Sequence, residues 1–324
     1  MVDSIRRRFE STIKGLSAIP MPTQFTVIIT TKNRPGYLRE AIDSVLQQKS
    51  SHQAKIVIVD DGSDVPVRQQ VEDYYQDCRK ILRNDESVGV SAARNQGIQA
   101  TETDWLIFLD DDDWLAEDFL VKMADATEAI PPPDFIWPSR TMVYEDQGVQ
   151  VPKRASVPFV PTTKSPDEVL AGLFDATSSG MAFKRSCLLQ VGGFDEGLTV
   201  SEDRDLIFKL LAKDYCAKPE EAAVLFFRIH GGPRLSRDEK RERQAEADLT
   251  VLSRHKQFLG GHPILADRFM GRVAKRLWEN RFYKEAIAVT NLQCHISPFS
   301  LRARKRQIGW HLLAFFRLGK SLGS

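Results

Sequence analysis

The chain has 324 residues, 42% of them hydrophobic and 27% charged, and 45 basic against 44 acidic residues leave a formal charge of +1. That composition excludes global disorder and collagen-like repeats, and the near-zero balance gives no bulk field for nucleic acid. The length corresponds to one large domain with an appendage, or to two domains.

Residues 1–23 read as a basic lead-in that ends at Pro20 and Pro22. FTVIITT (25–31) is a short β-branched run suited to a central parallel strand. Pro35 then opens a helix in which Tyr37, Leu38, Ala41, Ile42, Val45 and Leu46 repeat at helical spacing. AKIVIVDDGS (54–63) is a second strand, residues 65–78 a helix, and RKILRN (79–84) a third strand. SAARNQGIQA (91–100) is helical, and DWLIFLDDDDW (104–114) is a fourth strand that runs into four aspartates. The Pro-rich stretch 130–180 mixes strands with loops. Residues 178–213 hold a short strand, a helix, a Gly-Gly turn and a second helix opened by Ser201-Glu202-Asp203; 222–232 is a strand ending at His230. Beyond about 236 the pattern is helical, with breaks near Gly260-Gly261, Pro263 and Pro298.

Alternating strands and helices with short connections predict an α/β fold with a mostly parallel sheet flanked by helices, followed by a helical C-terminal extension. Right-handed crossovers carry every parallel strand to the same rim, where open α/β sheets bind ligands. The polar clusters fall there: Thr30 to Arg34, Asp60-Asp61, and Asp110 to Asp113. Four adjacent carboxylates repel one another unless a cation neutralises them, and hard oxygen ligands suit Mg²⁺ or Mn²⁺. A solvated acidic turn is the other reading of such a run. TTKNRPG follows the first strand, where a dinucleotide oxidoreductase needs GxGxxG and a nucleotidyltransferase a Gly-rich phosphate loop.

The segments FTVIITTKNRPGYLREAIDSVLQQ, IVIVDDGSD, VGVSAARNQGI, FLDDDDW, GGFDE and SEDRDL occur in an order and spacing that resembles the family 2 glycosyltransferases. The resemblance covers about residues 25–235. It implies a GT-A fold, a nucleotide-diphosphate sugar donor of the UDP type, a divalent metal (Mn²⁺ or Mg²⁺), and inversion at the anomeric carbon. It further implies a hydroxyl acceptor on a glycan or lipid-linked sugar in polysaccharide or cell-surface glycan synthesis. By this likeness Thr30, Lys32, Asn33 and Arg34 line the base and ribose. One of Asp60 and Asp61, with Asp61 favoured, accepts from a uracil-type imide. Arg94 stands near the nucleotide and Asp111 near the ribose. Asp112 and Asp110 are the metal carboxylates, with His230 a further candidate ligand. Asp203, beside Glu202, is the base that takes the acceptor proton. Read without the family, Ser201-Glu202-Asp203 is a helix cap with acids in the first turn. His230 is equally a structural residue, and Arg234 and Arg237 are either diphosphate clamps or a basic loop. A sugar-nucleotide-binding protein of the same fold without turnover is the rival function.

The expected organisation is a lead-in (1–23), a catalytic domain (24–235) and a basic extension (236–324). From Ile264 onward about a dozen Lys and Arg stand against three acids, interleaved with Phe269, Leu277, Trp278, Ile308, Trp310, Leu312, Leu313, Phe315 and Phe316. Such a pattern suits helices lying on an anionic membrane surface, or a helical cap with a basic outer face. No recognised nucleic-acid module accompanies the charge. The four cysteines (Cys78, Cys187, Cys216, Cys294) form no CxxC pair, which points to free thiols in a reducing compartment. The N-terminal stretch lacks the apolar centre of a signal peptide, and no run of ~18 apolar residues occurs. A cytoplasmic location, with peripheral attachment to the inner face of the membrane, is the expectation.

Overall fold

The first four strands lie side by side in parallel register in a computed structural model that describes residues 23–49, 54–71, 80–146, 149–152, 177–229 and 241–319. Strand β1 (Phe25–Thr31) pairs with β2 (Ala54–Asp61) on one side and β4 (Trp105–Asp110) on the other; β3 (Lys80–Asn84) pairs with β2. Phe25 is level with both Ala54 and Trp105, so the strands finish together: Thr31 opposite Asp60, Thr30 opposite Asp110, Asp61 opposite Asn84. This register delivers the polar residues to one rim.

The sheet continues through β8 (Ala182–Lys184), β6 (Phe135–Asp146), β9 (Ala217–Ile229) and β5 (Trp114–Leu115), in the order β3-β2-β1-β4-β8-β6-β9-β5, with β7 (Val149–Pro152) attached to β6. β8 runs antiparallel to β4 and β6, whereas β6 and β9 are parallel with a register shift between Pro138 and Ser139. The Ser139 hydroxyl lies 2.9 Å from the Glu221 carbonyl and 3.0 Å from that of Ala223, so its one proton is shared between strand carbonyls beside that shift.

Side chains of β1 alternate between two cores. Phe25, Val27 and Ile29 face helices α1 (Pro35–Leu46) and α4 (Phe119–Thr127), while Ile28 faces α3 (Val90–Gln99). A Cβ on Gly97 of α3 would stand 2.4 Å from Ile28 Cγ2, so glycine there lets the helix lie against the strand. Of the helix expected over 65–78, α2 (Val67–Gln70) is described; residues 72–79, including Cys78, lie outside the described residues, as does the lead-in up to residue 22.

Helices α5 (Arg185–Gln190) and α6 (Glu202–Leu211) add to the α3 side. The C-terminal helices follow: α7 (Arg241–Arg254), α8 (Lys256–Gly260), α9 (Pro263–Glu279), α10 (Tyr283–Ile296) and α11 (Leu301–Gly319). One further break falls at Arg281, which takes a positive φ of 68° between α9 and α10. Leu206 and Phe208 of α6, Val251 of α7, Leu259 of α8, and Phe269, Val273 and Leu277 of α9 belong to one apolar cluster with Ile28 and Phe108 of the sheet. The C-terminal helices therefore share a core with the strands. No helix among the described residues is long and apolar enough to cross a membrane.

Candidate active site

At the end of β4 the chain turns: the Asp113 amide donates to the Asp110 carbonyl (3.1 Å), and Trp114 resumes as β5 against Phe226. The turn is anchored from below. Asp113, 1% exposed, accepts from the Ser179 hydroxyl (2.7 Å) and the Arg228 amide (3.0 Å), and the Asp110 amide donates to the same Ser179 oxygen (3.1 Å). Arg228 Nε donates to the Asp112 carbonyl (2.9 Å), and its guanidinium lies between Tyr37 and Trp114, 4.7 and 4.6 Å from the ring centres. Arg228 also pairs with Glu40 and Glu145.

Carboxylate oxygens of Asp110, Asp112 and Asp113 come within 4.8 Å of one another. Burial first, then the neighbouring aspartates, push the Asp110 and Asp113 carboxyls above their ordinary range, with Arg94 pulling Asp110 back. A hard divalent cation supplies the charge such an oxygen set lacks, so the residues present fit one. Each of the three already has a partner: Ser179 and the Arg228 amide on Asp113, Arg94 on Asp110 and Arg34 on Asp112. Asp111 points to the β1 turn instead. It accepts from Thr31 Oγ1 (2.6 Å) and Arg34 (3.0 Å), and burial raises its carboxyl to about 7 against the pull of both. Arg34 also donates to Asp112 (3.3 Å).

Arg94 joins this loop to α6. One terminal nitrogen donates to Asp110 (2.8 Å) and the other to Glu202 (3.0 Å) and Asp203 (3.2 Å), with the guanidinium 5.1 Å from the Phe194 ring centre. Burial opposes its charge, but Asp203, Asp110 and Glu202 together raise its pKa. The next residue secures Phe194: Asn95 donates to its carbonyl and accepts from its amide, both at 2.9 Å. A Cβ on Gly193 (φ 67°) would sit 2.4 Å from the Asn95 amide oxygen, which accounts for glycine before Phe194. Glu202 is the more buried acid of its pair, its side chain 10% exposed against 21% for Asp203. Burial and the Asp203 charge lift the Glu202 carboxyl to about 7, against the pull of Arg94.

The two aspartates ending β2 part company. Asp61 accepts from Asn84 (3.0 Å), Ser87 (2.6 Å), and the amides of Val88 (2.8 Å) and Gly89 (3.0 Å); these bonds outweigh burial and hold it below the ordinary carboxylate range. Asp60 accepts from the Ser63 and Val67 amides and from Arg83 and builds the turn after β2, likewise with a lowered carboxyl despite burial. Successive strand residues face opposite sides, which is why one aspartate reaches the cleft and its neighbour does not.

A cleft of about 610 Å³ is lined by Thr30, Lys32, Asn33, Arg34, Asp61, Arg94, Asp110, Asp111, Asp112, Glu202 and Asp203. Of the residues nominated from the sequence, Asp60 is not on this wall, and His230, Arg234 and Arg237 lie outside the described residues. Sequence reasoning missed Phe227 and Gln244, which also line it, and Arg228 and Ser179 beneath it. Ser201 occupies the N-cap position of α6 in a left-handed conformation (φ 65°) and makes no capping bond with its side chain. Its hydroxyl turns to Asp248 of α7 instead (2.8 Å).

A mostly parallel sheet flanked by helices, with an acidic turn and a helix N-terminus facing one another across its rim, is the architecture of the GT-A fold class. The sequence model of "Glycosyl transferase family 2" matches residues 26–192, and the chain belongs to that family. An uncharacterized glycosyltransferase of Haemophilus influenzae is 29% identical over 186 residues, 57% of this chain and 61% of that protein. The pre-mycofactocin glycosyltransferase of Mycobacterium tuberculosis is 28% identical over 199 residues, 59% of this chain and 40% of that protein. The match thus spans less than two thirds of the length of either relative. Among solved structures, S. aureus TarS 1-349 in complex with UDP-GlcNAc has a TM-score of 0.59 at 18% identity, covering 92% of both chains, a likeness of fold.

A Glu202 carboxyl near 7 in the fold, against ~4.3 in an unfolded chain, keeps a proton on the native state that the unfolded chain has released. Its contribution to stability is therefore full below pH ~4 and is lost as pH rises through about 7. Glu202→Gln removes this titration. Between pH 5 and 7 the variant's unfolding free energy should fall less steeply than the parent's, by up to ~1.4 kcal/mol per pH unit. Urea midpoints across that range measure it, and identical slopes would contradict the assignment.

Proposed function

We propose that the protein transfers a sugar from a UDP-type nucleotide sugar to a hydroxyl of a glycan or lipid-linked acceptor, with inversion at the anomeric carbon. The observation that carries this reading is the convergence, on Arg94, of an acidic turn suited to a cation and a helix-borne carboxylate pair. TarS, which has the same fold, was crystallised with UDP-GlcNAc and with UDP, which supports a uridine donor.

Thr30, Lys32, Asn33, Arg34 and Asp61 form the wall assigned to the nucleotide, with Arg94 beside it and Asp111 at the ribose. Asp112 and Asp110 are the residues that would hold Mn²⁺ or Mg²⁺; when bound, the ion supplies Lewis-acid neutralisation of the diphosphate. Asp203, the more exposed acid at the start of α6, accepts the acceptor proton. The acceptor oxygen forms its bond to the anomeric carbon opposite the leaving group. The bond to the diphosphate breaks, and the nucleoside diphosphate departs with the electron pair. Asp60, holding the β2 turn, is left out of donor binding.

The membrane reading narrows to α11. Phe269 and Leu277 are buried, and Trp278 stacks on Trp310 with ring centres 4.3 Å apart, so these residues serve packing. On α11, Ile308, Leu312 and Leu313 are exposed along with Arg302, Arg304 and Lys305. We assign this helix to an anionic membrane surface, with apolar side chains in the interface and basic ones on phosphates.

Three measurements test these assignments. Asp203→Asn should leave UDP affinity near the parent value and lower turnover by ~10²–10⁴, the loss expected for a general base; near-full transfer would remove that role. Asp112→Asn should abolish the Mn²⁺ dependence of UDP binding in calorimetry, and unchanged dependence would refute the metal assignment. The full chain should co-sediment with vesicles containing anionic lipid at low salt and release as salt rises, because screening shortens the attraction to ~8 Å at physiological ionic strength. Replacing Ile308, Leu312 and Leu313 by serine should abolish sedimentation; retention would leave α11 a packing helix.

A further inference from the structure

The C-terminal region reaches the reacting end of the cleft through α7. Asp248 of that helix is fully buried, and its carboxylate receives four donors. Ser201 Oγ donates to Oδ1 at 2.8 Å, and Arg204 Nη1 donates to the same oxygen at 3.1 Å. Gln244 Nε2 reaches it at 3.5 Å, and Arg276 of α9 pairs with the other oxygen. Ser201 Oγ in turn accepts from Arg204 (3.1 Å) and from Gln244. Three helices, α6, α7 and α9, therefore meet on one buried anion, and that anion grips the residue immediately before Glu202 and Asp203.

Ser201 needs a grip. Its φ of 65° lies in the left-handed region, which a residue with a Cβ adopts only when its surroundings hold it there. A serine at an N-cap ordinarily turns its oxygen onto its own helix, and this one does not. The hydroxyl is diverted to Asp248, and the backbone follows. The dihedral at Ser201 sets the direction in which α6 leaves the rim, and with it the place of the two acids that meet Arg94.

We propose that Asp248 is a positioning residue for the acids at the start of α6: acting through Ser201, with Gln244 beside it, α7 holds Glu202 and Asp203 at the mouth of the cleft. The proposal rests on the reading of Asp203 as the base. It gives the C-terminal helices a part in the reaction that Asp248, Gln244 and Arg276 carry and the strands do not. Arg204 contributes twice, to Ser201 and to Asp248, from one turn into α6.

The test compares Asp248→Asn, Ser201→Ala and the double variant in the full chain. Backbone amide exchange in the first turn of α6, where the Asp205 amide donates to the Ser201 carbonyl (3.1 Å), should quicken at least tenfold in each single variant. Protection of β1 should be unchanged. Turnover of the UDP-sugar found to be used should fall at least tenfold with UDP affinity within twofold, and the double variant should be no worse than Asp248→Asn alone. If Asp248→Asn does not fold, Ser201→Ala carries the same readouts. Unchanged exchange at the α6 start in a folded variant, or losses that multiply in the double variant, would overturn the proposal. Quickened exchange with full turnover would also overturn it as a catalytic arrangement. Whether the base reading then fails with it is decided separately by turnover of Asp203→Asn.

Discussion

The buried guanidinium of Arg94 is the contact on which the geometry of the cleft depends. It gathers Asp110 from the end of β4 and Glu202 and Asp203 from the start of α6, elements about a hundred residues apart in the chain. Arg94 and Glu202 are buried while Asp110 and Asp203 are partly exposed, and burying an ion without a partner costs several kcal/mol, so the guanidinium and these acids depend on one another. One positive charge against three leaves a deficit; burial first, and then the neighbouring acids, raise the Asp110 and Glu202 carboxyls. A nucleotide-sugar site of the proposed kind uses that imbalance, because the deficit lies beside the place assigned to a divalent ion and a diphosphate.

Arg94 holds its place because its surroundings are rigid. Gly97 sets α3 against Ile28, and Asn95 bonds both backbone polar groups of Phe194, whose ring backs the guanidinium. On the opposite side Arg228, between Tyr37 and Trp114, holds the Asp112 carbonyl, and its amide holds Asp113. The acidic turn is thus fixed from both flanks before any ligand arrives. Preorganisation of this kind is what an electrostatic site requires, since dipoles already in place need no reorganisation during reaction.

Much of this was legible in the sequence, for identifiable reasons. Short β-branched runs ending in polar residues marked β1, β2 and β4, and parallel register then placed Thr30, Asp61 and Asp110 on one rim. Of the pair ending β2, the family resemblance favoured Asp61, and strand alternation is the physical reason that Asp60 turns away from the cleft. The partners of Arg94 were not, since nothing local to VSAARNQG indicates acids so distant along the chain. Arg228 carried no signal either: an arginine among aromatic strand residues looks like an edge position until Tyr37 and Trp114 close over it. In the C-terminal region the pattern was ambiguous in principle. Apolar residues at 265, 266, 269, 270, 273, 274 and 277 repeat as they would on a membrane-facing helix, and here they face Phe208 and the sheet side of the molecule.

Whether one guanidinium binds the acidic turn and the α6 acids into a single unit is decided by a double-mutant cycle on stability. Urea unfolding would compare the parent with Arg94→Met, Asp110→Asn and the two combined, at constant pH and without metal. Residues in one ion-paired network couple by ~0.5–3 kcal/mol, whereas independent sites add within ~0.3–0.5 kcal/mol. If Arg94 and Asp110 act as one unit, their coupling exceeds ~1 kcal/mol. Additivity within ~0.3 kcal/mol would contradict it and leave the 2.8 Å pair as a contact without energetic consequence.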